Sequence, residues 1–393
     1  MNSLELINED KEYIMNSYNR FNLALKCGKG ATIYDMENKK YIDFGSGIGV
    51  TSFGYSDDEW LNAVVEQAKR VQHTSNLYYT EPQAELAKLL CEKTGMKKVF
   101  FSNSGAEANE GAIKAARKYS YDKYGENRYE IITLVNSFHG RTLMTLTATG
   151  QDKFHKYFGP FAEGFKYAKA NDIEDLNSKI SDKTCAIMIE TVQGEGGVNN
   201  LDEDFVRYID KICKEKDIMF IVDEVQTGNG RTGYLYSYMA YGVTPNIVST
   251  AKGLAGGLPF GAILFDSKVE KVFGYGDHGT TFGGNPICAN AALSVLRRID
   301  DNLLNHVNEC NKIICERLGK IKGVKISGRG LMLGISIEGK IGGDVAKKCL
   351  EKGLMVLTAK EKVRLLPPLN ISFEELNEGL SILEEAIKEW NIY

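Results

Sequence analysis

The chain has 393 residues, 43% of them apolar and 25% charged, with a formal net charge of −4. That length predicts two or three domains, and the composition is that of a soluble globular protein. The weak acidic balance argues against a nucleic-acid partner, and no run of eighteen apolar residues predicts a membrane span. The polar, acidic first residues are unlike a signal peptide. Eight cysteines stand singly without a C-x-x-C pair, which points to reduced thiols in a cytoplasmic protein. The five histidines lack metal-ligand spacing, so no metal is expected.

In chain order, 98–101 reads as a strand, 106–119 as a helix, and 131–135 and 185–189 as strands. A helix over 204–215 follows, then strands over 218–222, 246–250 and 261–265. This alternation predicts an α/β domain with a mostly parallel sheet. Beyond Pro286 the pattern changes. A long helix over 289–318, strands over 324–327 and 333–337, a helix over 345–352 and a last amphipathic helix over 372–390 predict a smaller α+β domain. The expected division is 1–50 as a segment joining the small domain, 51–286 as the large domain and 287–393 as the small one.

Four segments carry chemistry-bearing residues. In IMFIVDEVQ an apolar strand ends in Asp223 and Glu224, and ligands in open α/β sheets sit at the carboxyl ends of strands. Taken alone, such an acid is more often a turn residue or a helix cap. In VSTAKGLAGG a second strand ends in Lys252 among small residues, a place where a lysine can lose its charge and serve as a Schiff-base amine. By itself that lysine reads more readily as a solvated loop residue. In FSNSGAEANE, Ser104 and Gly105 open a helix after a strand, offering free N–H groups to a phosphate. In FHGR, Phe138 can stack on a flat ring and Arg141 can grip a carboxylate; the plainer reading is a packed Phe and a surface Arg. Two glycine clusters carry little weight. Gly45-Ser-Gly47-Ile-Gly49 lacks the dinucleotide spacing, and Gly28-Lys29-Gly30 lacks that of a P-loop.

Taken in order, SNSGAEANE, FHGR, ETVQGEGG, DEVQTGNGRTG, AKGLAGGLP, HGTTFGGNP and VRLLPPL resemble the class-III, ornithine-type aminotransferases of pyridoxal-5'-phosphate (PLP) fold type I. The resemblance runs from about Gly28 to the C-terminus. The SNLYYTEPQ segment and the overall length are similar to the N-acetylornithine aminotransferases within that family. The resemblance implies a large PLP-binding domain with a mostly parallel sheet and a smaller α+β domain. It implies that Lys252 holds PLP and shuttles a proton, that Asp223 pairs with the pyridine nitrogen and that Phe138 stacks on the ring. It places Gln226 near the ring hydroxyl and the N–H groups of Gly105 and Ala106 at the phosphate. Thr281 is implied to reach the phosphate of the other subunit of a homodimer. Thr280 and Arg141 are implied to contact substrate, and Glu195 with Arg364 to form a carboxylate-handling switch. Ala106, Thr191 and Thr280 stand where the family often has Thr, Pro and Ser.

The implied reaction moves the ω-amino group of N2-acetylornithine to 2-oxoglutarate, as in arginine synthesis. Rival readings are ornithine, 4-aminobutyrate or succinylornithine as amine donor, or an aminomutase on the same fold. A non-catalytic PLP-binding protein is a rival of another class; it predicts loss of Lys252 or Asp223, and both are present.

Overall fold

The computed structural model describes residues 2–389. Its centre is a seven-stranded sheet in the order Lys98–Ser102, Gly261–Phe265, Ile247–Thr250, Met219–Asp223, Thr184–Ile189, Glu130–Leu134, Phe165–Ala168. Only Gly261–Phe265 runs antiparallel to its neighbours, so the other six strands point their carboxyl ends to one side. The middle strands are buried along their whole length and mostly apolar because both faces are covered. Phe220 and Val222 enter a core shared with the helix Glu203–Lys216, whereas Met219 and Ile221 enter one shared with the helix Gly105–Tyr124. This is the two-residue alternation of a strand, with both outlets apolar.

A second core joins the two ends of the chain. Ala31, Ile42 and Phe44 pack there with residues of Asp301–Leu318 and Phe373–Lys388. The strand Lys40–Asp43 is extended in parallel by Leu354–Met355. A four-stranded antiparallel sheet, Val324–Arg329, Met332–Ile337, Lys362–Leu365 and Leu357–Ala359, completes this region.

Several expectations needed correction. The single helix expected over 289–318 is two, Pro286–Arg298 and Asp301–Leu318. Asp300 starts the second by accepting a hydrogen bond from Leu303 N–H at 2.9 Å. That cap satisfies a free backbone donor and stops the first helix from running on. The helix Pro286–Arg298 packs into the core of the large sheet. The final helix spans Phe373–Lys388, and the last residue expected in it, Trp390, lies outside the described residues. The edge strand Phe165–Ala168 was not anticipated; its residues are only partly buried and their alternation is weak. Among the described residues no helix is long and apolar enough to cross a membrane, and no group of three His, Cys, Asp or Glu side chains is placed to hold a metal. All eight cysteines are free.

Candidate active site

The aligned carboxyl ends of the parallel strands open into a cavity of about 450 Å³. Asp223 ends the strand Met219–Asp223 at its floor, in register with Ser249 of the neighbouring strand. Three residues beyond Ser249, the chain turns at Lys252 with φ +46°, a left-handed conformation unusual for a side chain of this size. The turn is held from outside: Leu254 N–H donates to Ala251 O, and Asn229 Nδ2 donates to Ala251 O at 3.1 Å. Lys252 lines the cavity.

Asp223 is buried, and both of its carboxylate oxygens accept hydrogen bonds. Oδ2 accepts from Asn109 Nδ2 at 2.7 Å and from His139 Nδ1 at 2.8 Å, and Oδ1 accepts from Val225 N–H at 3.0 Å. Ser249 Oγ donates to Asn109 Oδ1 at 2.5 Å, which fixes the Asn109 amide so that its nitrogen faces Asp223. Burial alone lowers the His139 pKa. The hydrogen bond to Asp223 and that group's charge outweigh burial and hold the imidazole above the ordinary histidine range. The floor of the cavity is therefore a negative pole braced by two side chains that the sequence reading did not single out. Asn109 and His139 were visible inside SNSGAEANE and FHGR. Nothing in their spacing showed that they meet an aspartate 114 and 84 residues away.

At one end of the cavity the helix Gly105–Tyr124 begins. Ser104 caps it, its hydroxyl accepting from Glu107 N–H at 3.2 Å. Among the described residues the N–H groups of Gly105 and Ala106 have no partner, and they lie at the cavity wall. A Cβ on Gly105 would come within 2.6 Å of Val225 Cγ1, so this corner admits glycine alone. Free N–H groups at the positive end of a helix form an anion site.

Phe138 lines the same cavity and Arg141 stands at its mouth, exposed. Glu190, which follows the strand Thr184–Ile189, holds this loop in place. One of its oxygens accepts from Phe138 N–H at 2.9 Å and the other from Gly194 N–H at 3.3 Å. Burial raises the Glu190 carboxyl to about 7. This group was also missed from the sequence, although it opens the ETVQGEGG segment. The hydroxyl of Thr191 is taken up by Ser237 at 2.6 Å.

Across the cavity, Glu195 and Arg364 form an ion pair at 2.5 Å, and Arg364 Nη1 also donates to Gln226 Oε1 at 3.2 Å. Arg364 is 3% exposed, on the strand Lys362–Leu365, and Glu195 is half-buried. Burial pushes the Glu195 pKa up, but the charge and hydrogen bond of Arg364 outweigh it and leave it lowered. For Lys252, burial dominates and brings the amine down to about 8; Glu195 opposes the shift and Arg364 adds to it.

Nine of the eleven expected site residues thus surround one space: Gly105, Ala106, Phe138, Arg141, Glu195, Asp223, Gln226 and Lys252 line it, and Arg364 pairs with its wall. Thr280 and Thr281 lie apart from the cavity wall of their own chain. The Thr280 hydroxyl accepts from Asn103 Nδ2 at 3.0 Å and from Gly283 N–H at 3.3 Å, and Thr281 is exposed. In the discounted segment Gly45–Gly49, residues Ser46–Gly49 form a left-handed turn, and the amides of Gly45 and Ser46 donate to Asp43; Val50 beyond it reaches the cavity.

Such a site joins an amine of reduced basicity, a fixed negative pole, an anion site and two arginines. That combination suits a flat cationic-ring phosphate and a carboxylate-bearing substrate. The comparisons agree with this chemistry. A protein from Haemophilus ducreyi named acetylornithine aminotransferase is 49% identical over 99% of this chain and 100% of its own length. A solved ornithine aminotransferase from Toxoplasma gondii superposes with a TM-score of 0.95 at 28% identity, covering 100% of this chain and 96% of that one. A solved acetylornithine aminotransferase from Elizabethkingia anophelis superposes with a TM-score of 0.88 at 31% identity, covering 99% and 100%. The family described as aminotransferase class-III matches residues 13–387, which takes in every site residue described above, and the chain belongs to that family.

Proposed function

We propose that this chain transfers the ω-amino group of N2-acetyl-L-ornithine to 2-oxoglutarate, giving N-acetyl-L-glutamate 5-semialdehyde and L-glutamate, with PLP as cofactor. The reading rests on one arrangement: the Lys252 amine, lowered to about 8, shares a cavity with the Asp223 pole and the Glu195–Arg364 pair. The names of the similar proteins supply the donor.

The residues fit PLP. Asp223 presents a carboxylate braced by Asn109 and His139, suited to a protonated pyridine nitrogen. The unpaired N–H groups of Gly105 and Ala106 suit a phosphate, and Val225 packs so close to Gly105 that no side chain fits at that position. Phe138 and Val225 line the cavity with apolar surface that would face the ring, and Gln226, also in the lining, would hold the ring hydroxyl. When bound, PLP supplies the electron sink for the pair left behind as a C–H bond breaks. Lys252 Nζ takes that proton from the carbon bearing the amine and gives it up again. A pKa near 8 keeps part of the amine neutral near neutral pH, as a base requires.

The same site handles two substrates. An ω-amine donor brings no carboxylate next to the reacting carbon, whereas 2-oxoglutarate does. Glu195 masks Arg364 during the first half-reaction, and a substrate carboxylate replaces Glu195 in the second. Arg141 holds the distal carboxylate in both. Glu195→Ala is expected to favour glutamate over the ω-amine as donor. Arg364→Ala is expected to damage the 2-oxoglutarate half by about 10²-fold, the scale of losing one buried charge-assisted contact. The two half-reactions are followed separately by cofactor absorbance; equal damage to both halves in both variants would reduce the pair to a structural one.

Thr281 serves the phosphate of the second subunit of a homodimer. Its exposure, next to exposed Phe282 in a segment tied through Asn76 to the exposed run Leu77, Tyr78 and Tyr79, supports this arrangement. The chain works in the cytoplasm. The donor is tested by comparing kcat/KM for N2-acetylornithine, ornithine, succinylornithine and 4-aminobutyrate with 2-oxoglutarate. N2-acetylornithine is expected to rank first. A higher value for another donor would overturn the assignment, and turnover without 2-oxoglutarate would mark an aminomutase.

A further inference from the structure

Of the two site arginines, Arg141 has no carboxylate partner among the described residues. Arg364 is paired with Glu195, but among the described residues the Arg141 guanidinium makes no hydrogen bond and no ion pair. Its backbone is well anchored, because the next residue, Thr142, donates through its hydroxyl to Glu110 Oε1 at 2.5 Å. Its head is another matter. A long exposed side chain with no partner samples many rotamers, and binding a carboxylate then costs the entropy of choosing one.

What touches the head is a ring. The guanidinium carbon lies 4.1 Å from the centroid of Phe154 and 5.6 Å from that of Phe138. A planar cation stacked on an aromatic face keeps its edge donors free, since the ring takes up its flat side only. Phe154 is in turn fixed. It ends the short 3₁₀ turn Asp152–Phe154 and meets Phe138 edge-on, with centroids 5.9 Å apart at 73°. The buried side chain of Gln151, just before that turn, donates to Ser137 O at 3.0 Å and ties it to the Phe138 loop.

We infer that Phe154 is a positioning residue for substrate carboxylates: its ring holds the Arg141 guanidinium flat and leaves the donor edge open at the cavity mouth. The inference rests on the proposed role of Arg141 in gripping the distal carboxylate. It adds a specificity element from a segment outside every motif noted in the sequence. A neighbouring cation, Lys153, also lies 4.6 Å from the same ring and must be separated from the effect.

The test uses the cofactor-loaded enzyme and two readouts: steady-state kinetics with 2-oxoglutarate, and calorimetric binding of glutarate, an unreactive dicarboxylate. Phe154→Leu is expected to raise both KM for 2-oxoglutarate and Kd for glutarate about fivefold, the scale of one cation–π contact, with kcat and cofactor absorbance unchanged. Phe154→Tyr, which keeps the face, is expected to restore wild-type values. Arg141→Ala should weaken glutarate more than Phe154→Leu does, and Lys153→Met should leave it unchanged. If Arg141→Ala weakens glutarate and Phe154→Leu does not, the positioning role is wrong while the Arg141 reading stands. If Arg141→Ala has no effect, the Arg141 reading itself falls and takes the inference with it. An equal loss in Lys153→Met, or a fall in kcat with altered cofactor absorbance in Phe154→Leu, would also overturn it.

Discussion

Replacing Lys252 with alanine is expected to reduce turnover by at least about 10⁴-fold, the upper range for removing a positioned proton-transfer group. PLP should still bind, because the floor contact through Asp223 and the N–H groups at Gly105 and Ala106 do not involve the lysine. The structural change is small: Lys252 is held in its left-handed turn by neighbours, not by its own side chain. Lysine and alanine both carry a Cβ, so the strain of the turn at φ +46°, on the order of 1 kcal/mol, is common to both. A thermal-unfolding control with PLP present therefore separates lost chemistry from lost fold. Borohydride reduction of the wild type followed by peptide mapping should place the reduced cofactor on Lys252, and finding it on another lysine would refute the assignment. The same residue sets a pH dependence. With its amine lowered to about 8 by burial, capture of PLP by cofactor-free protein should speed up as pH rises through about 8 and level off above it, as the neutral amine becomes dominant. A midpoint near the ordinary lysine value of about 10.4 would contradict burial as the cause.

Asp223→Asn is expected to slow the proton-transfer step by at least about 10²-fold, comparable with losing one preorganised electrostatic group. Two effects combine. An amide cannot act as the negative partner of a protonated ring nitrogen, so the electron sink weakens. The amide also fits poorly where the carboxylate sat. His139, Asn109 and Val225 N–H all donate to Asp223, two to Oδ2 and one to Oδ1. An asparagine offers one acceptor oxygen, so in either orientation its NH2 faces a donor. A buried donor–donor contact costs on the order of 1–3 kcal/mol, so a lower melting temperature should accompany the kinetic loss. The His139 pKa, held up by Asp223, should fall in the variant, and NMR titration of that imidazole reads it directly. Near wild-type single-turnover rates with saturating PLP would remove the role assigned to Asp223.

Apart from its edge strand Phe165–Ala168, the central sheet was legible because its strands are largely apolar and end in polar or small residues. Asp223, Lys252 and the 104–106 helix start each followed such a strand, and a parallel sheet brings those ends together. The ordered motifs added the roles that local pattern could not supply. The sequence by itself therefore determined the α/β core, the side of the sheet on which chemistry occurs and most of the residues facing it. Only the tertiary structure decided what braces them. Asn109 and His139 converge on Asp223, Glu190 clasps the Phe138 and Gly194 amides, and Phe154 lies under Arg141. Each of these contacts joins separate elements or loops, and each depends on a side-chain direction that no local period encodes. The break at Asp300 was hidden for a different reason: apolar spacing continues across it, and the cap competes with helix continuation only once Leu303 N–H is in reach. Thr281 is exposed, and the inter-subunit role proposed for it is one that neither local propensity nor the packing of a single chain decides.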